Sequence, residues 1–338
     1  MTMTVPDAIE RGRTLTVPAL RAVVDRLHPR LRHVVAYHRG WVDAENKPLT
    51  GSGGKLVRPA LALLSAEAAG APPEVGLPAA CAVELVHDFS LLHDDLMDGD
   101  RERRHRATAW TVFGADGAIL AGDALLGLAV QILLEVEGDQ ARRAALILSA
   151  GVQDLVRGQA EDLMFESRTD VTVADTLHME DGKTGALLAC SASLGAVLAG
   201  GSDELVAALS EYGSRLGTAF QLIDDLLGIW GDPAVTGKPV LSDLRSRKKS
   251  VPVVVALEAG GPAADELRAF LTATGESTEA ELAHIAELVE RAGGREWTTA
   301  EADRQLKACE NVLRSLSMPA QVEAELLALA RFVTERDR

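Results

Sequence analysis

Four aspartates, Asp94, Asp95, Asp98 and Asp100, fall within seven residues, directly after the apolar run Phe89-Ser90-Leu91-Leu92. On a helix, Asp94 and Asp98 lie one turn apart on the same face, close enough to share hard cations and, without them, to repel each other. Magnesium suits such a pair, because it takes one or two carboxylates and leaves its other positions to water and substrate phosphate. A second apolar helix ends the same way, in Phe220-Gln221-Leu222-Ile223-Asp224-Asp225. A single Asp-x-x-x-Asp reads as a solvated helix end. Recurrence beside Leu91 and Leu92, and again beside Leu222 and Ile223, points to a metal-bridged diphosphate held between helices, since acids buried there without cations are costly.

Cationic groups lie close by in sequence. Arg103 and Arg104 follow Asp98 by a little over one turn, and guanidinium forks bind phosphate bidentately. Gly53-Gly54-Lys55-Leu56-Val57-Arg58-Pro59 sets a glycine pair and two cations before a helix start signalled by proline, a second candidate anion site. Taken singly, the arginines read as surface charge and the Gly-Gly-Lys stretch as a loop.

Helices must position these groups. Apolar residues recur at three and four spacing, as in Leu20-Val23-Val24-Leu27 and Leu205-Ala208-Leu209-Tyr212-Leu216, while alternating strand patterns are nearly absent. Breaks at Arg58-Pro59, Gly70 to Pro73, Gly138-Asp139, Gly200 to Asp203, Gly231 to Pro239 and Gly260 to Pro262 imply about ten or more helices. The expected fold is all-α, a single large helical bundle around a central cavity, with residues 1–15 as a flexible leader and residues 16–338 as one domain. Bundle interiors are where carboxylate metal sites are commonly built.

Composition excludes several functions. The 338-residue chain is 47% hydrophobic with a formal net charge of -16, so its overall field repels nucleic acid and anionic membrane surfaces. Cys81, Cys190 and Cys309 are few, odd in number and widely spaced, which fits reduced thiols in a cytoplasm better than a disulfide frame or a zinc site. The apolar segment Leu187 to Ala199 reaches only about two-thirds of a bilayer-spanning length and reads as a buried helix, so no stable membrane insertion is expected.

In order along the chain, GGKLVRP, LLHDDLMDGDRERR, GKTGALL at Gly182 to Leu188, FQLIDDLLGIWGD and TGKPVLSDL closely resemble the trans-isoprenyl diphosphate synthases, or polyprenyl synthetases, over roughly Gly53 to Lys249. The resemblance implies addition of isopentenyl diphosphate to an allylic diphosphate (dimethylallyl, geranyl or farnesyl) with three magnesium ions around the bound diphosphate. Asp94 and Asp98 would ligate magnesium with Asp95 beside them; Asp224 would lead the second metal motif, supported by Asp225. Gln159 and Asp162 match a motif lining the metal site. Lys183 and Lys238, with Arg103, would grip the allylic diphosphate, and Lys55, Arg58, His87 and Arg104 the isopentenyl diphosphate. His87 lies two turns before Asp94 on nearly the same stripe. Thr184 and Gln221 match polar groups near the developing carbocation. Lys248 is expected to reach phosphate when the Gly231 to Lys249 loop closes, with Lys249 and Arg247 as competitors for that role. A homodimer is a further implication.

The sequence departs from the family pattern at Gly228, where a third aspartate is usual, and Asp232 is a candidate to contribute through the loop. It departs again at His105-Arg106-Ala107-Thr108, where Gly, Lys or Arg, Pro and Thr are more frequent. Phe89, five residues before Asp94, matches a position where a bulky ring stops elongation, with small Ser90 beside it; together they imply a C20 product, as in a geranylgeranyl diphosphate synthase, with C15 or longer chains as alternatives. Two rival readings are a class I terpene cyclase, which holds no second diphosphate, and a noncatalytic partner subunit of another synthase, which could lose the first motif.

Overall fold

Long stretches rich in Ala and Leu, broken by Gly and Pro, favour helices, since these side chains lose little freedom there. The computed structural model describes residues 6–49, 54, 56–232 and 240–334, and it is all-α. The order begins α1 (Asp7–Val24), α2 (Pro29–His38), α3 (Val57–Ala68) and α4 (Leu77–Met97). A short hairpin follows, β1 (Glu102–Arg103) paired antiparallel with β2 (Arg106–Ala107), then α5 (Ala109–Phe113), α6 (Ala115–Leu134), α7 (Asp139–Ser167) and α8 (Val173–Glu180). A π-helical turn over Asp181–Gly185 leads into α9 (Ala186–Leu198), and α10 spans Asp203–Trp230. Helices over Ser242–Arg245, Val251–Glu258, Gly261–Thr272, Glu279–Arg291, Gly294–Arg314 and Ala320–Thr334 complete the described chain.

The chain divides into two compact units where the sequence suggests one domain. The first comprises Met1–Val152, Ala189–Ser210 and Leu313–Leu329. Within it α4 packs against α1, α3 and α6, and Leu61, Leu64, Leu85, Leu92, Leu125 and Leu133 are fully buried. The residues expected as a leader are helical from Asp7 onward. Ala8 and Ile9 are buried, and Arg11 pairs with Glu67 at 3.0 Å and Glu325 at 2.9 Å. Ala8, Ile9, Gly12, Thr16, Leu20 and Val24 recur at helical spacing on the buried face of α1, and the two ion pairs fix its first turns, so the helix extends well into the expected leader.

The second unit comprises Gln153–Leu188, Glu211–Val312 and Ala330–Arg338. Its main core gathers Ile229, Leu244, Val253, Leu267, Leu282 and Val289, and a smaller one Phe165, Val171, Met179 and Val254. A capping box at Thr172 and Asp175 starts α8 by satisfying otherwise orphaned backbone N–H groups. All three cysteines are buried and outside any disulfide, and burial pushes the Cys81 and Cys309 thiols up to about 12, as expected of core residues. Two segments, Pro73–Met97 and Ala115–Leu134, are long and apolar enough to cross a membrane, but 72% and 50% of their most apolar windows are buried within the protein.

Candidate active site

The apolar run before Asp94 becomes α4, whose Leu85 and Leu92 are fully buried, and this fixes where the acids emerge. Asp94 and Asp95 lie in the last turn, and Asp98 is the C-cap. No basic side chain occupies that turn, so the carboxylates sit at the negative end of the helix dipole, where a cation is favoured. Asp95 is 1% exposed; its Oδ1 accepts a 2.6 Å hydrogen bond from Arg103 Nε, while its buried Oδ2 has no partner. Burial holds the Asp95 carboxyl above its ordinary value, although the Arg103 guanidinium opposes the shift. Asp98 is exposed and Asp94 half-buried. Among the described residues no three His, Cys, Asp or Glu side chains form a ready metal cage. A few carboxylate oxygens with one left unsatisfied fit magnesium, which seldom uses an all-protein cage.

Arg103 and Arg104 do not continue the helix, as counting turns from Asp98 implies. They sit on the hairpin, whose two turn residues Arg104 and His105 both take left-handed φ, 53° and 60°. Such turns favour Asn-Gly, and each non-glycine residue there costs about 1 kcal/mol. Tertiary bonds hold it: Tyr37 Oη donates to Ala107 O at 2.8 Å, and Arg106 donates to Tyr37 O at 3.0 Å and Val42 O at 3.1 Å. Arg106 also stacks over the Tyr37 ring at 4.4 Å. The unusual His105-Arg106-Ala107-Thr108 segment is thus a clamped turn.

Arg58, at the start of α3, brings Nη1 to 3.5 Å from His87 Nε2, and its own Nε is buried without a partner. Burial, with Arg58 and Arg104 nearby, pushes His87 well below the ordinary imidazole range, so it is neutral at pH 7. Behind this group lies a network with no sequence signal. Arg39, 4% exposed, donates to Asp88 at 2.9 Å and Glu84 at 2.7 Å. Burial pushes the Asp88 carboxyl up to about 7 against the opposing pull of Arg39. His38, 4.0 Å from Asp88, is pushed down to about 3, first by burial and then by Arg103 and Arg104. Arg39, Glu84, Asp88 and His38 each read alone as ordinary polar residues, and only the fold places them together.

In the second unit, Lys183 lies in the π-helical turn, a feature often found at functional sites. Its Nζ donates to Asp162 at 2.6 Å. The neighbouring Gly158 is required by close approach, since a Cβ there would stand 2.3 Å from Lys183 N. Gln159, 6% exposed, leaves both amide atoms buried without partners. Thr184 Oγ1 donates to Gln221 Oε1 at 3.1 Å, and Gln221 Nε2 donates to Asp225 Oδ1 at 3.2 Å. Asp225 is fully buried and also accepts from Lys248 Nζ at 3.1 Å and Val251 N at 2.9 Å. Burial opposes its charge, but Lys248 and these hydrogen bonds win and hold it below the ordinary carboxylate range, while Lys248 rises well above its own. Glu180, 3% exposed, is raised well above its ordinary value by burial and by Asp225.

Among the three competing basic residues, Lys248 turns to the aspartates. Lys249 Nζ donates to Phe165 O at 2.6 Å and Glu166 O at 2.9 Å, and Arg247 donates to Gly275 O at 3.1 Å. Asp224 is half-buried, and Asp232 is exposed just beyond α10. Gly53, Lys55 and Lys238 lie outside the described residues. Sequence reasoning missed Arg39, Glu84, Asp88, Glu180 and Asp243; only Asp243 carried a signal, as the aspartate of TGKPVLSDL. Phe89 is 7% exposed with its ring edge-on to His93 at 4.8 Å, and Ser90 Oγ donates to His87 O at 2.9 Å.

The likeness to known proteins covers nearly the whole chain. A (2E,6E)-farnesyl diphosphate synthase of Mycobacterium tuberculosis is 48% identical over 95% of this chain and 90% of that protein. A geranylgeranyl diphosphate synthase of the same organism is 42% identical over 97% and 93%. The crystal structure of a polyprenyl synthetase from Streptomyces coelicolor superposes with a TM-score of 0.94 at 54% identity, covering 98% of this chain and 99% of that one. Residues 40–289 match the Polyprenyl synthetase family pattern, and with these relatives they establish that the chain belongs to the polyprenyl synthetase family, a trans-prenyltransferase of all-α fold.

Proposed function

We propose that this enzyme condenses isopentenyl diphosphate with an allylic diphosphate and releases a C20 product, all-trans geranylgeranyl diphosphate. The observation that carries the condensation is the gathering of Asp94, Asp95 and Asp98 at the negative end of α4 with a buried Asp95 oxygen unsatisfied, an arrangement that calls for a cation. Magnesium held by Asp94 and Asp98 in the first unit would supply positive charge to the allylic diphosphate, and Asp224 in the second unit is a further proposed metal ligand. Lys183 and Arg103 orient that group and stabilise the charge that builds on its leaving oxygen. The carbon–oxygen bond breaks and its electron pair departs with pyrophosphate. Arg58, Arg104 and neutral His87 hold isopentenyl diphosphate so that its alkene forms the new carbon–carbon bond, and proximity removes much of the entropic barrier. The proton lost to complete the alkene passes to the released pyrophosphate. The Thr184 and Gln221 dipoles would stabilise the developing cation, a role supported by their hydrogen bond to each other.

Phe89 supports the chain-length assignment: each helical residue rises only about 1.5 Å, so a ring near the end of the prenyl tail decides about one isoprene unit. A C15 product is the second reading, favoured by the 48% identical farnesyl diphosphate synthase. A homodimer belongs to the proposal, supported by exposed Ile119 and Leu120 on α6, and so does a cytoplasmic location, supported by buried cysteines that form no disulfide. The test is incubation with magnesium, labelled isopentenyl diphosphate and each allylic starter, followed by chain-length analysis. C20 alcohol after dephosphorylation is expected. No elongated product would defeat the reading, and cyclic hydrocarbon from a single substrate would favour a terpene cyclase.

A further inference from the structure

Gly228 is buried inside α10, four residues after Asp224 and so on the same face one turn on. Glycine weakens a helix interior, and nothing in the helix itself asks for it there. The explanation comes from another segment. A Cβ built at Gly228 would stand 2.3 Å from Asp243 Cγ, 2.3 Å from its Oδ2 and 2.5 Å from its Oδ1, far inside van der Waals contact. The Asp243 carboxylate therefore fills the space in which a side chain at position 228 would begin.

Asp243 is fixed in that place. It lies on the short helix Ser242–Arg245, entered through Leu241 in a left-handed conformation at φ 61°, and it is 8% exposed. Ser242 Oγ donates to Gly228 O at 3.2 Å and lies 3.3 Å from Asp243 Oδ1, tying the two segments together. Lys248 N donates to Asp243 O at 2.8 Å, and Lys248 Nζ stands 4.0 Å from Asp243 Oδ2 and 3.1 Å from Asp225 Oδ1. Asp243 thus shares one lysine with the second aspartate motif. Glu180 Oε2, buried without a partner in a side chain that bonds Asp225, adds an unsatisfied oxygen to the same group.

We propose that Asp243 supplies to the Asp224–Asp225 motif the carboxylate that position 228 lacks, so that Gly228 and Asp243 form a complementary pair that completes a magnesium-diphosphate site. The inference rests on the proposed function for its ligand, but the pairing itself does not. Asp243 would help hold the metal as a third carboxylate of this motif, and the glycine is what admits it.

Two measurements test this. Thermal melts without metal or substrate compare Gly228→Ala, Asp243→Gly and the double variant. Gly228→Ala is expected to lower the melting temperature, and the double variant to regain most of that loss. Additive losses would overturn the steric pairing. Calorimetry then follows magnesium binding in the presence of inorganic pyrophosphate. Asp243→Ala is expected to weaken binding about tenfold or more, and Gly228→Asp combined with Asp243→Gly to restore it to within about threefold. Unchanged affinity in Asp243→Ala, or no recovery in a folded double variant, would overturn the ligand role. If the wild-type protein binds no magnesium-pyrophosphate, the ligand role falls, and elongation in the product assay then decides separately whether the proposed function falls with it.

Discussion

At the end of α4, three carboxylates sit against the negative pole of their helix, and Asp95 has one arginine bond and one bare oxygen. Inside α10, Asp225 is fully buried yet surrounded by Lys248, the Gln221 amide and the Val251 backbone N–H. The first arrangement spends stability to present oxygens. The second brings its own counter-ion and uses an acid as a structural anchor. The second aspartate of each pair, Asp95 or Asp225, therefore does different work according to where the helix ends and what packs behind it, and the surroundings of a carboxylate, more than its motif, say how far its charge is already met.

The largest expected effect is metal removal. Chelation should abolish turnover in a steady-state assay, with activity returning on added magnesium. Replacing Asp94 and Asp98 together with Ala should lower kcat about 10²- to 10³-fold, the scale of a lost electrostatic contact in the transition state, while the melting temperature moves little. Asp225→Ala should show the reverse balance in a denaturant titration. Stranding Lys248 and the Val251 N–H is expected to cost about 2–3 kcal/mol, below the usual cost for a buried pair because about a third of Lys248 stays in solvent. Equal stability losses at the two sites would break the comparison.

The two regions should also differ in acid. His38 is held at about 3 and His87 well below 6.5, so in mild acid the unfolded chain takes up protons that the folded chain refuses. Stability from these histidines is present above pH 6.5 and is lost as pH falls from there. Asp225, with its carboxyl below 3.8, keeps its contribution until the pH falls beneath that value. Relative to wild type, melts as a function of pH should lose less stability below pH 6.5 in His38→Gln and His87→Gln, and Asp225→Asn should not share that gain. The smallest effect is one of specificity: Phe89→Leu should lengthen the product by about one isoprene unit with little change in rate, read by chain-length analysis.

How far the sequence can be read varies by residue. The helices carrying the aspartates were legible because their apolar faces are long and periodic, and Asp94 with Asp98 needed only the helical repeat. The hairpin under Arg103 and Arg104 was not, because Arg-His is a poor match to any turn signal and is held by Tyr37 and Arg106 from elsewhere. Nor was the direction of Lys248, since three basic residues in a row carry no local preference and only their packing separates them.

The chain by itself determined the all-α class, the two acidic helix segments and their cationic companions, because local periodicity and side-chain chemistry act over a few residues. Tertiary structure alone decided which acids are satisfied and which are bare, that Arg39 joins Glu84 to Asp88, and that Asp243 fills the place beside Gly228. Those outcomes depend on contacts between segments far apart in sequence, and desolvation and steric exclusion take effect only once those segments meet.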